Sequence, residues 1–491
     1  MPFDLAKKKR IAVIGGGVSG LGAAYMLAPD NEIVLFESSH RLGGHARTVL
    51  AGRRGETAVD TGFIVFNYHT YPHLTQMFRD LDVPVKKSDM SFGVSINNGG
   101  LEYSMRDLSA LTAQKRNLAR PQFWRMLGDI VRFNKSAVAA AQDPDLPLGK
   151  FLDQLNMGEW FRNYYLLPMS GAIWSSTPEQ MESFPARSLV QFFDNHALLT
   201  PNTHQWHTVD GGSIAYVTRI AAAIRSAGGD IRTDAPVASV TRSDLGVEVR
   251  CKGGLPEFFD EVVFACHSDQ ALALLSDPTD KEKKILGNIR YQPNRAVLHR
   301  DTSQMPNRKR AWASWVYKST TDRPAARIGL TYWMNRLQGL DASDPLFVSL
   351  NPEVDIPDHL VYEETEFAHP VFDRAAIRAQ AELRLAQGQN KTWFCGAWTR
   401  HGFHEDRQYR QPGLYRWRAD AGGGDSRAGV AQARGRGAVG GAGGTGRGFG
   451  GGGFGGGPQS TAQGYNLPYF DSDIAIKKEW TLTGGRSANV S

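Results

Sequence analysis

Near its start the chain reads Gly15-Gly16-Gly17-Val18-Ser19-Gly20, a G-x-G-x-x-G turn between two short apolar segments. Ile11–Ile14 predicts a buried strand before the turn, and the small residues of Gly20–Leu27 predict a helix that stops before Pro29. Glu32–Glu37 then predicts a second strand. A strand, a glycine turn, a helix and a strand within about 30 residues are typical of one nucleotide-binding βαβ unit.

The glycines have separate tasks in such a unit. Gly15 allows the tight turn, Gly17 lets the backbone approach a pyrophosphate, and Gly20 lets the helix pack closely on the sheet. The first N–H groups of the helix carry a partial positive charge that attracts phosphates. We therefore expect residues 15–20 to contact a dinucleotide.

Glu37 lies twenty residues after Gly17, at the end of the second predicted strand. A carboxylate at this place accepts hydrogen bonds from ribose hydroxyls and repels a 2′-phosphate, which disfavours NADP. The alternative is a solvated strand end. FAD and NAD share these features, so other residues must separate them.

The residues after Glu37 read Ser38-Ser39-His40-Arg41-Leu42-Gly43-Gly44-His45-Ala46-Arg47. Arg41 can pair with a phosphate, and the two glycines let the backbone lie close to a dinucleotide. The run E-x-x-x-R-x-G-G after a Rossmann second strand resembles the extended FAD motif of the flavin amine oxidase superfamily. That superfamily also includes phytoene-type desaturases, protoporphyrinogen oxidase and fatty acid isomerases. The alternative is a surface turn with an unpaired Arg41.

Four further segments resemble the superfamily in the expected order. Asp60-Thr61-Gly62 resembles its D-x-G step beside the flavin, and Val209–Gly212 resembles its glycine pair. Val237 lies on the segment that resembles the strand beside the adenine, and Trp393–Thr399 resembles the turn that closes over the flavin. The resemblance implies non-covalent FAD, bound by Gly15, Gly16, Gly17, Val18, Ser19, Gly20, Glu37, Ser38, Arg41, Leu42, Gly43, Gly44, Thr61, Gly62, Val237, Gly396, Trp398 and Thr399.

The expected fold is α/β, with a discontinuous Rossmann-type FAD-binding domain and an inserted α+β substrate domain. Leu, Phe, Trp and Met between residues 105 and 205 predict mainly helices, and alternation over 290–350 predicts a sheet. The FAD-binding domain is expected at residues 1–92, 206–272 and 389–406. The substrate domain is expected at residues 93–205 for its helical part and 273–388 for its sheet part.

The composition changes abruptly after Asp406. Between residues 421 and 457, 19 of 37 positions are glycine, so this part of the 407–491 tail cannot bury enough apolar surface to offset the entropy of ordering it. The superfamily has a helix after its last strand, and that helix points at the flavin. Two alternatives stay open: a genuine disordered, low-complexity tail, or a frameshift that has replaced the helix.

The same tail carries the net charge of +6. Residues 407–491 hold eleven Lys/Arg and five Asp/Glu, which leaves 45 of each sign in residues 1–406. We therefore expect no nucleic-acid partner. The absence of a signal-peptide pattern and the three scattered cysteines indicate a cytoplasmic protein. Peripheral membrane association and the oligomeric state stay open.

His299 lies on the predicted strand 294–300, at the place where amine oxidases of the superfamily carry a lysine near flavin N5. One hypothesis makes His299 a catalytic acid, base or water-holding residue, and the alternative is a hydrogen-bonded strand histidine. His401 and His404 supply only two ligands, so no metal is expected. Cys395 lies inside a strand, poorly placed for a covalent flavin bond.

The Leu/Phe/Met-rich middle of the chain favours a small apolar or lipid-like substrate, and no aromatic cage with a carboxylate entrance for a cation is recognisable. The sequence thus predicts an FAD-dependent oxidoreductase of amine-oxidase fold. It would transfer hydride from an apolar substrate to flavin N5, to desaturate or isomerise an unsaturated acyl chain. The alternatives are an amine oxidase that releases hydrogen peroxide and a non-catalytic flavin-binding protein.

Overall fold

The computed structural model describes residues 8–174, 176–196, 198–199, 204–322, 329–400, 402 and 404–405. All of these belong to one compact unit. His401 and the predicted 407–491 tail, with its two alternatives, lie outside the described residues.

A five-stranded parallel sheet carries the glycine turn, in the order β10-β2-β1-β14-β20. Its strands are β1 (Arg10–Ile14), β2 (Glu32–Phe36), β10 (Asp230–Arg232), β14 (Glu261–Phe264) and β20 (Thr392–Phe394). On β1, Ile11 and Val13 pack into one hydrophobic cluster while Ala12 and Ile14 pack into another. Both faces of the sheet are therefore covered, as in a doubly wound fold, and the predicted α/β Rossmann-type class is confirmed.

Helix α1 (Val18–Leu27) joins β1 to β2 and begins two residues before its predicted start. Its glycines and alanines are buried, which allows α1 to lie close to the sheet and to helix α10 (Ile214–Ser226). The backbone N–H of Ala28 donates the last helical bond, just before Pro29.

The chain returns to the parallel sheet through a small antiparallel sheet and three helices. The sheet comprises β11 (Val237–Ser243), β12 (Gly246–Cys251) and β13 (Pro256–Phe259). The helices are α11 (Ser268–Leu274), α12 (Asp280–Gly287) and α14 (Arg374–Glu382).

A mixed seven-stranded sheet, in the order β19-β15-β18-β17-β16-β7-β8, forms the second layer. Its strands are β7 (Phe92–Ile96), β8 (Leu101–Ser104), β15 (Arg290–His299), β16 (Trp315–Lys318), β17 (Leu330–Trp333), β18 (Phe347–Leu350) and β19 (Val361–Val371). β7 and β8 come from the segment that was expected to be the helical part of the substrate domain. The domain boundaries themselves stay a prediction.

Helices cover one face of this large sheet. They are α3 (Leu108–Leu111), α4 (Pro121–Ala140), α5 (Leu148–Gln154), α6 (Glu159–Phe161), α7 (Leu167–Trp174), α8 (Pro178–Ser183) and α9 (Ala186–Asn195). A π-helical turn at Arg162–Leu166 joins α6 to α7. The buried Phe, Leu and Met side chains of the helices share one hydrophobic cluster with Val94, Tyr317 and Leu350 of the sheet.

The remaining elements join the two layers. They are β3 (Thr48–Ala51), β4 (Thr57–Asp60), β5 (Val65–Asn67), α2 (Pro72–Asp80), β6 (Val85–Ser88), β9 (Trp206–Val209) and α13 (Met334–Leu337). β3 pairs with β4, and β9 lies between β5 and β6. Within the described ranges, no helix has the length and hydropathy that a membrane span requires.

His299 ends β15 and is fully buried. Its Nδ1 accepts a hydrogen bond from the backbone N–H of Asp301 at 3.1 Å, and its Nε2 lies 2.8 Å from Ser349 Oγ. The ring stacks on Phe347. Burial lowers the pKa of His299 to about 4, and the charge of Asp301 acts in the opposite direction. These are the contacts of a hydrogen-bonded strand histidine.

We expect His299 to make the folded protein sensitive to mild acid. The ring binds a proton at the ordinary pKa of 6.5 when unfolded but only near 4 when folded, so stability is lost as pH falls between these values. In His299→Asn, the amide oxygen can still accept the hydrogen bond from the backbone N–H of Asp301, but the side chain at position 299 no longer binds a proton. Urea unfolding measures the free energy of unfolding of both proteins at about pH 7.5 and about pH 4.5. The decrease between these pH values should be smaller in the variant than in the wild type, by on the order of 2 kcal/mol. An identical pH dependence of the two proteins would contradict this expectation.

Candidate functional site

A cavity of about 530 Å³ extends from the parallel sheet to the seven-stranded sheet. At one end, Gly15, Ala265 and Gly396 line it, and each follows the carboxyl end of a parallel strand. Doubly wound sheets bind their ligands at this edge. At the other end, side chains of β7, β16, β17, β18 and β19 line the wall. The cavity volume lies within the range of small-molecule and cofactor sites.

The glycine turn fits a dinucleotide for a geometric reason. A Cβ on Gly20 would lie 1.8 Å from the carbonyl oxygen of Gly15, so this contact between helix and turn requires glycine. A Cβ on Gly17 would instead meet nothing nearer than Gly44 Cα at 3.9 Å. Gly17 also has φ −68° and ψ 175°, which any residue can adopt. Glycine at position 17 therefore leaves free the space in front of the helix N-terminus where phosphates bind.

The second glycine loop lies against this turn. The backbone N–H of Gly43 donates to the carbonyl of Gly16 at 2.8 Å, and Arg41 Nη2 donates to the carbonyl of Gly44 at 3.0 Å. The Leu42 side chain packs where a Cβ on Gly16 would stand. Burial, followed by the charge of Arg47, lowers the pKa of Arg41. Arg41 thus stabilises the loop itself, Gly43 joins the loop to the turn, and the contact of Arg41 with a phosphate stays a prediction.

Glu37 lines the cavity together with Ser38. Its Oε2 accepts from the backbone N–H of Gly16 at 2.6 Å, and its Oε1 accepts from the backbone N–H of Ser39 at 2.8 Å. Glu37 is therefore a fixed carboxylate and not a freely solvated strand end. Its hydrogen bonds to a ribose stay a prediction.

Two motifs that are far apart in sequence meet at Asp60. This buried carboxylate accepts from the backbone N–H of Ser213 at 2.8 Å, the Thr48 hydroxyl at 2.6 Å and Gln338 Nε2 at 3.1 Å. Burial raises the pKa of Asp60 to about 6, and the hydrogen bonds from Thr48 and Ser213 act in the opposite direction. The contacts fix β4 and so position Thr61 and Gly62, the next two residues, which line the cavity.

The turn after β20 also lies against the cavity. Gly396 and Trp398 line it, and Trp398 Nε1 donates to the carbonyl of Cys266 at 3.1 Å. Thr399 closes the turn by donating its hydroxyl hydrogen to the carbonyl of Gly396 at 2.8 Å.

His404 and Glu405, which follow this turn, attach it to the N-terminal half of the chain. His404 lines the cavity, stacks on Phe63 with the ring centres 3.7 Å apart, and has Nε2 3.0 Å from the Tyr216 hydroxyl. Glu405 accepts two backbone N–H bonds at the start of α2, each at 3.1 Å. A carboxylate suits a helix N-terminus, so Glu405 caps α2. No group of metal-ligating side chains occurs among the described residues.

Eleven of the eighteen predicted cofactor-binding residues line the cavity: Gly15, Gly17, Val18, Ser19, Glu37, Ser38, Gly44, Thr61, Gly62, Gly396 and Trp398. Six others do not line the cavity but belong to the turns and loop that carry the lining residues: Gly16, Gly20, Arg41, Leu42, Gly43 and Thr399. Val237 begins β11 outside the lining, and His299 does not reach the cavity either. Cofactor binding by these residues stays a prediction.

Four histidines that sequence reasoning assigned no role line the cavity: His45, His196, His267 and His369. The ring centres of His45 and His369 are 5.5 Å apart, and His267 stacks on Tyr291. His45 directly follows the Gly43–Gly44 pair, so its position could have been inferred from the motif. His267 follows the end of β14, at the ligand edge of the parallel sheet. No signal in the sequence indicates His369 on β19.

A hydrogen-bonded chain fixes the tautomer of His369. The backbone N–H of Arg295 can only donate, and Asn351 Oδ1 accepts from it at 3.0 Å. Asn351 Nδ2 must then donate to Asn294 Oδ1, at 2.8 Å. Asn294 Nδ2 is left to donate to the carbonyl of Gln292 and to His369 Nδ1, at 3.1 and 3.2 Å. Since Nδ1 accepts, the proton of the neutral His369 ring lies on Nε2.

The end of the cavity away from the glycine turn is apolar. Met169, Ile173 and Trp174 of α7 and Phe192 of α9 line it, with Leu198 from the turn after α9 and aromatic residues of the large sheet. His196, which stacks on Phe192, also lines this end. Among the described lining residues the only side chain of Asp, Glu, Lys or Arg is Glu37, at the glycine-turn end.

Comparisons with known proteins agree with this geometry. The chain is similar in fold to a CLA-producing fatty acid isomerase from P. acnes, with a TM-score of 0.57, 14% identity and coverage of 82% of this chain and 97% of that one. It is similar to cyclohexylamine oxidase from Brevibacterium oxydans IH-35A, with a TM-score of 0.56, 15% identity and coverage of 84% and 99%. For putrescine oxidase bound to putrescine the TM-score is 0.58, with 13% identity and coverage of 84% and 99%.

An L-amino acid oxidase from Cerastes cerastes is 44% identical over 48 residues, which is 10% of this chain and 9% of that protein. Residues 18–340, more than half of the chain, match the family of flavin-containing amine oxidoreductases. The resemblance and the oxidoreductase class predicted from sequence are thus confirmed. The chain belongs to the flavin-containing amine oxidoreductase family and is a flavin-dependent oxidoreductase.

Proposed function

We propose that the flavin is FAD and that the substrate is apolar and lipid-like. FAD accounts for both glycine loops, because its pyrophosphate would lie in the space left by Gly17 and its ribose beside the fixed carboxylate of Glu37. When bound, the flavin supplies a hydride acceptor at N5.

Non-covalent binding is supported by the cysteines nearest the cavity. Cys266 lines it, and burial raises the pKa of its thiol to about 12. Cys395 is fully buried, and burial likewise raises its pKa. A thiol without thiolate character is a poor nucleophile, so neither is suited to attack a flavin. All three cysteines are free thiols, which supports the proposed cytoplasmic location.

Two glycine substitutions test FAD binding. Gly17→Ala should fold normally but bind FAD roughly tenfold or more weakly, because the added methyl group fills the phosphate space. Gly20→Ala should instead lower the melting temperature of the cofactor-free protein, because its Cβ collides with Gly15. Flavin content after purification, FAD titration and thermal unfolding measure these effects. Wild-type FAD affinity in Gly17→Ala would contradict the proposed site.

The apolar end of the cavity carries the substrate proposal. A cationic amine or an amino acid carboxylate would lose its hydration at that end, where the described lining has no Asp, Glu, Lys or Arg side chain. An unsaturated fatty acyl chain has no such cost. We therefore favour desaturation or isomerisation of an acyl chain over amine oxidation.

Linoleic acid is the first probe, with putrescine and cyclohexylamine as comparison. Desaturation should bleach the flavin spectrum without oxygen, while isomerisation should move a double bond without net bleaching, as seen by chromatography of the lipid. Peroxide release from the amines with no change in the lipid would favour the amine oxidase alternative. A flavin that reacts with none of these probes would contradict both the lipid and the amine as substrates.

A matched pair of substitutions locates the acyl chain. Ile173→Asn places an amide in the apolar end and should reduce kcat/KM for the lipid roughly tenfold, because a polar group is left without a partner. Val354→Asn changes an exposed side chain and should leave it unaltered. Equal kinetics in the two variants would place the acyl chain elsewhere.

His369 would supply an Nε2–H donor to this cavity, held by the Asn351–Asn294 chain. In Asn351→Asp the carboxylate accepts from Arg295 and also from Asn294, so the Asn294 amide must turn and present Oδ1 to His369. The His369 proton then moves to Nδ1, and turnover should fall roughly tenfold or more. The ¹⁵N shifts of the imidazole report the tautomer directly.

The control for this experiment is Asn351→Gly. Asn351 has φ 46°, which suits glycine, so the backbone is kept while the side chain that orders the chain is lost. A mixture of His369 tautomers and an intermediate rate are expected. If the tautomer is the same in the wild type and both variants, the hydrogen-bonded chain does not control His369.

A further inference from the structure

Exposed apolar side chains are concentrated in one segment of the chain. Fourteen large hydrophobic side chains are exposed among the described residues, and six of them lie within residues 105–138. These six are Met105, Leu108, Leu118, Trp124, Val131 and Val138. A cluster of this kind on a folded protein marks an interaction surface.

Helix α4 gives this surface its geometry. Trp124, Val131 and Val138 are seven residues apart, so they lie on one face of the helix, and each is about half exposed. The opposite face is buried, with Phe123, Ile130 and Phe133 in the core. Trp124 Nε1 donates to the carbonyl of Leu118 at 2.9 Å, which joins the preceding turn to the same surface.

The charge of this segment differs from that of the rest of the described protein. Residues 105–140 hold seven Lys/Arg and two Asp/Glu, whereas residues 1–406 hold 45 of each sign. Both acids are paired, Asp107 with Arg106 and Asp129 with Arg132. Five basic residues remain without an ion pair to any described residue: Lys115, Arg116, Arg120, Arg125 and Lys135.

Two of these cations lie together. Arg116 and Arg120 both donate to the carbonyl of Gly100. Burial, followed by the charge of Arg116, lowers the pKa of Arg120. Like charges held this close favour an anion beside them.

We propose that the surface formed by residues 105–138 docks on an anionic lipid bilayer, with the apolar stripe of α4 in the interface and the basic residues on lipid phosphates. Charge complementarity selects this occupant, since a helix face that combines Trp and Val with unpaired Lys and Arg is typical of interfacial helices. This inference does not depend on the substrate proposed above.

The test is flotation of the full chain with vesicles of phosphatidylcholine, with and without phosphatidylglycerol. Binding should require the anionic lipid and should weaken as salt is raised. Val131→Glu/Val138→Glu and Lys115→Glu/Lys135→Glu should each lower the partition coefficient roughly tenfold or more. The controls are Leu245→Glu and Lys252→Glu, exposed residues of the β11–β12–β13 sheet, which should bind like the wild type.

The flavin spectrum and melting temperature of each variant show whether it is folded. If Val131→Glu/Val138→Glu does not fold, Lys115→Glu/Lys135→Glu still tests the proposal. Binding that is equal on neutral and anionic vesicles overturns the proposal. If the folded variants bind vesicles as strongly as the wild type, the proposal is also overturned. The affinity would then belong to another part of the chain, such as residues 407–491, which carry a net positive charge. If sedimentation shows a dimer that Val131→Glu dissociates, without vesicle binding, the surface is an interface between two copies.

Discussion

The close approach of helix α1 to the glycine turn is the constraint on which the site depends. Because Gly20 has no Cβ, the helix begins directly behind Gly15, and its first N–H groups face the carboxyl edge of the sheet. The loop at Gly43–Gly44 can then bond to the backbone of the turn, and Glu37 can accept from the N–H of Gly16. Each of these contacts involves the backbone of the turn, so a side chain in place of Gly20 would displace several cavity walls at once.

Local motifs explain what could be read from the sequence. The glycine spacing and Glu37 lie close together in sequence, and their positions follow from the βαβ unit. The fold class therefore followed from this local pattern, whereas the family followed from the resemblance of the E-x-x-x-R-x-G-G run and the later segments to the motifs of the superfamily.

The way in which histidines of the cavity come together could not be read in this way. His45, His267 and His369 come from three distant segments that only the tertiary fold brings together. On β15, Ala296, Val297, Leu298 and His299 are all buried, because both faces of the strand are covered. An alternation of polar and apolar residues, which would have shown which face His299 occupies, is thus absent.

The order of strands in the parallel sheet has a consequence for synthesis on the ribosome. β1 ends at Ile14, but β20, which completes the sheet beside β14, begins only at Thr392. At about 5–20 residues per second, roughly 20 to 80 s of translation separate the two strands. During that interval the nascent chain exposes an open strand edge, on which another chain could pair. The open edge is thus a place where the incomplete sheet is exposed to wrong pairing, and the cofactor can meet a complete sheet only after the last strand has left the exit tunnel.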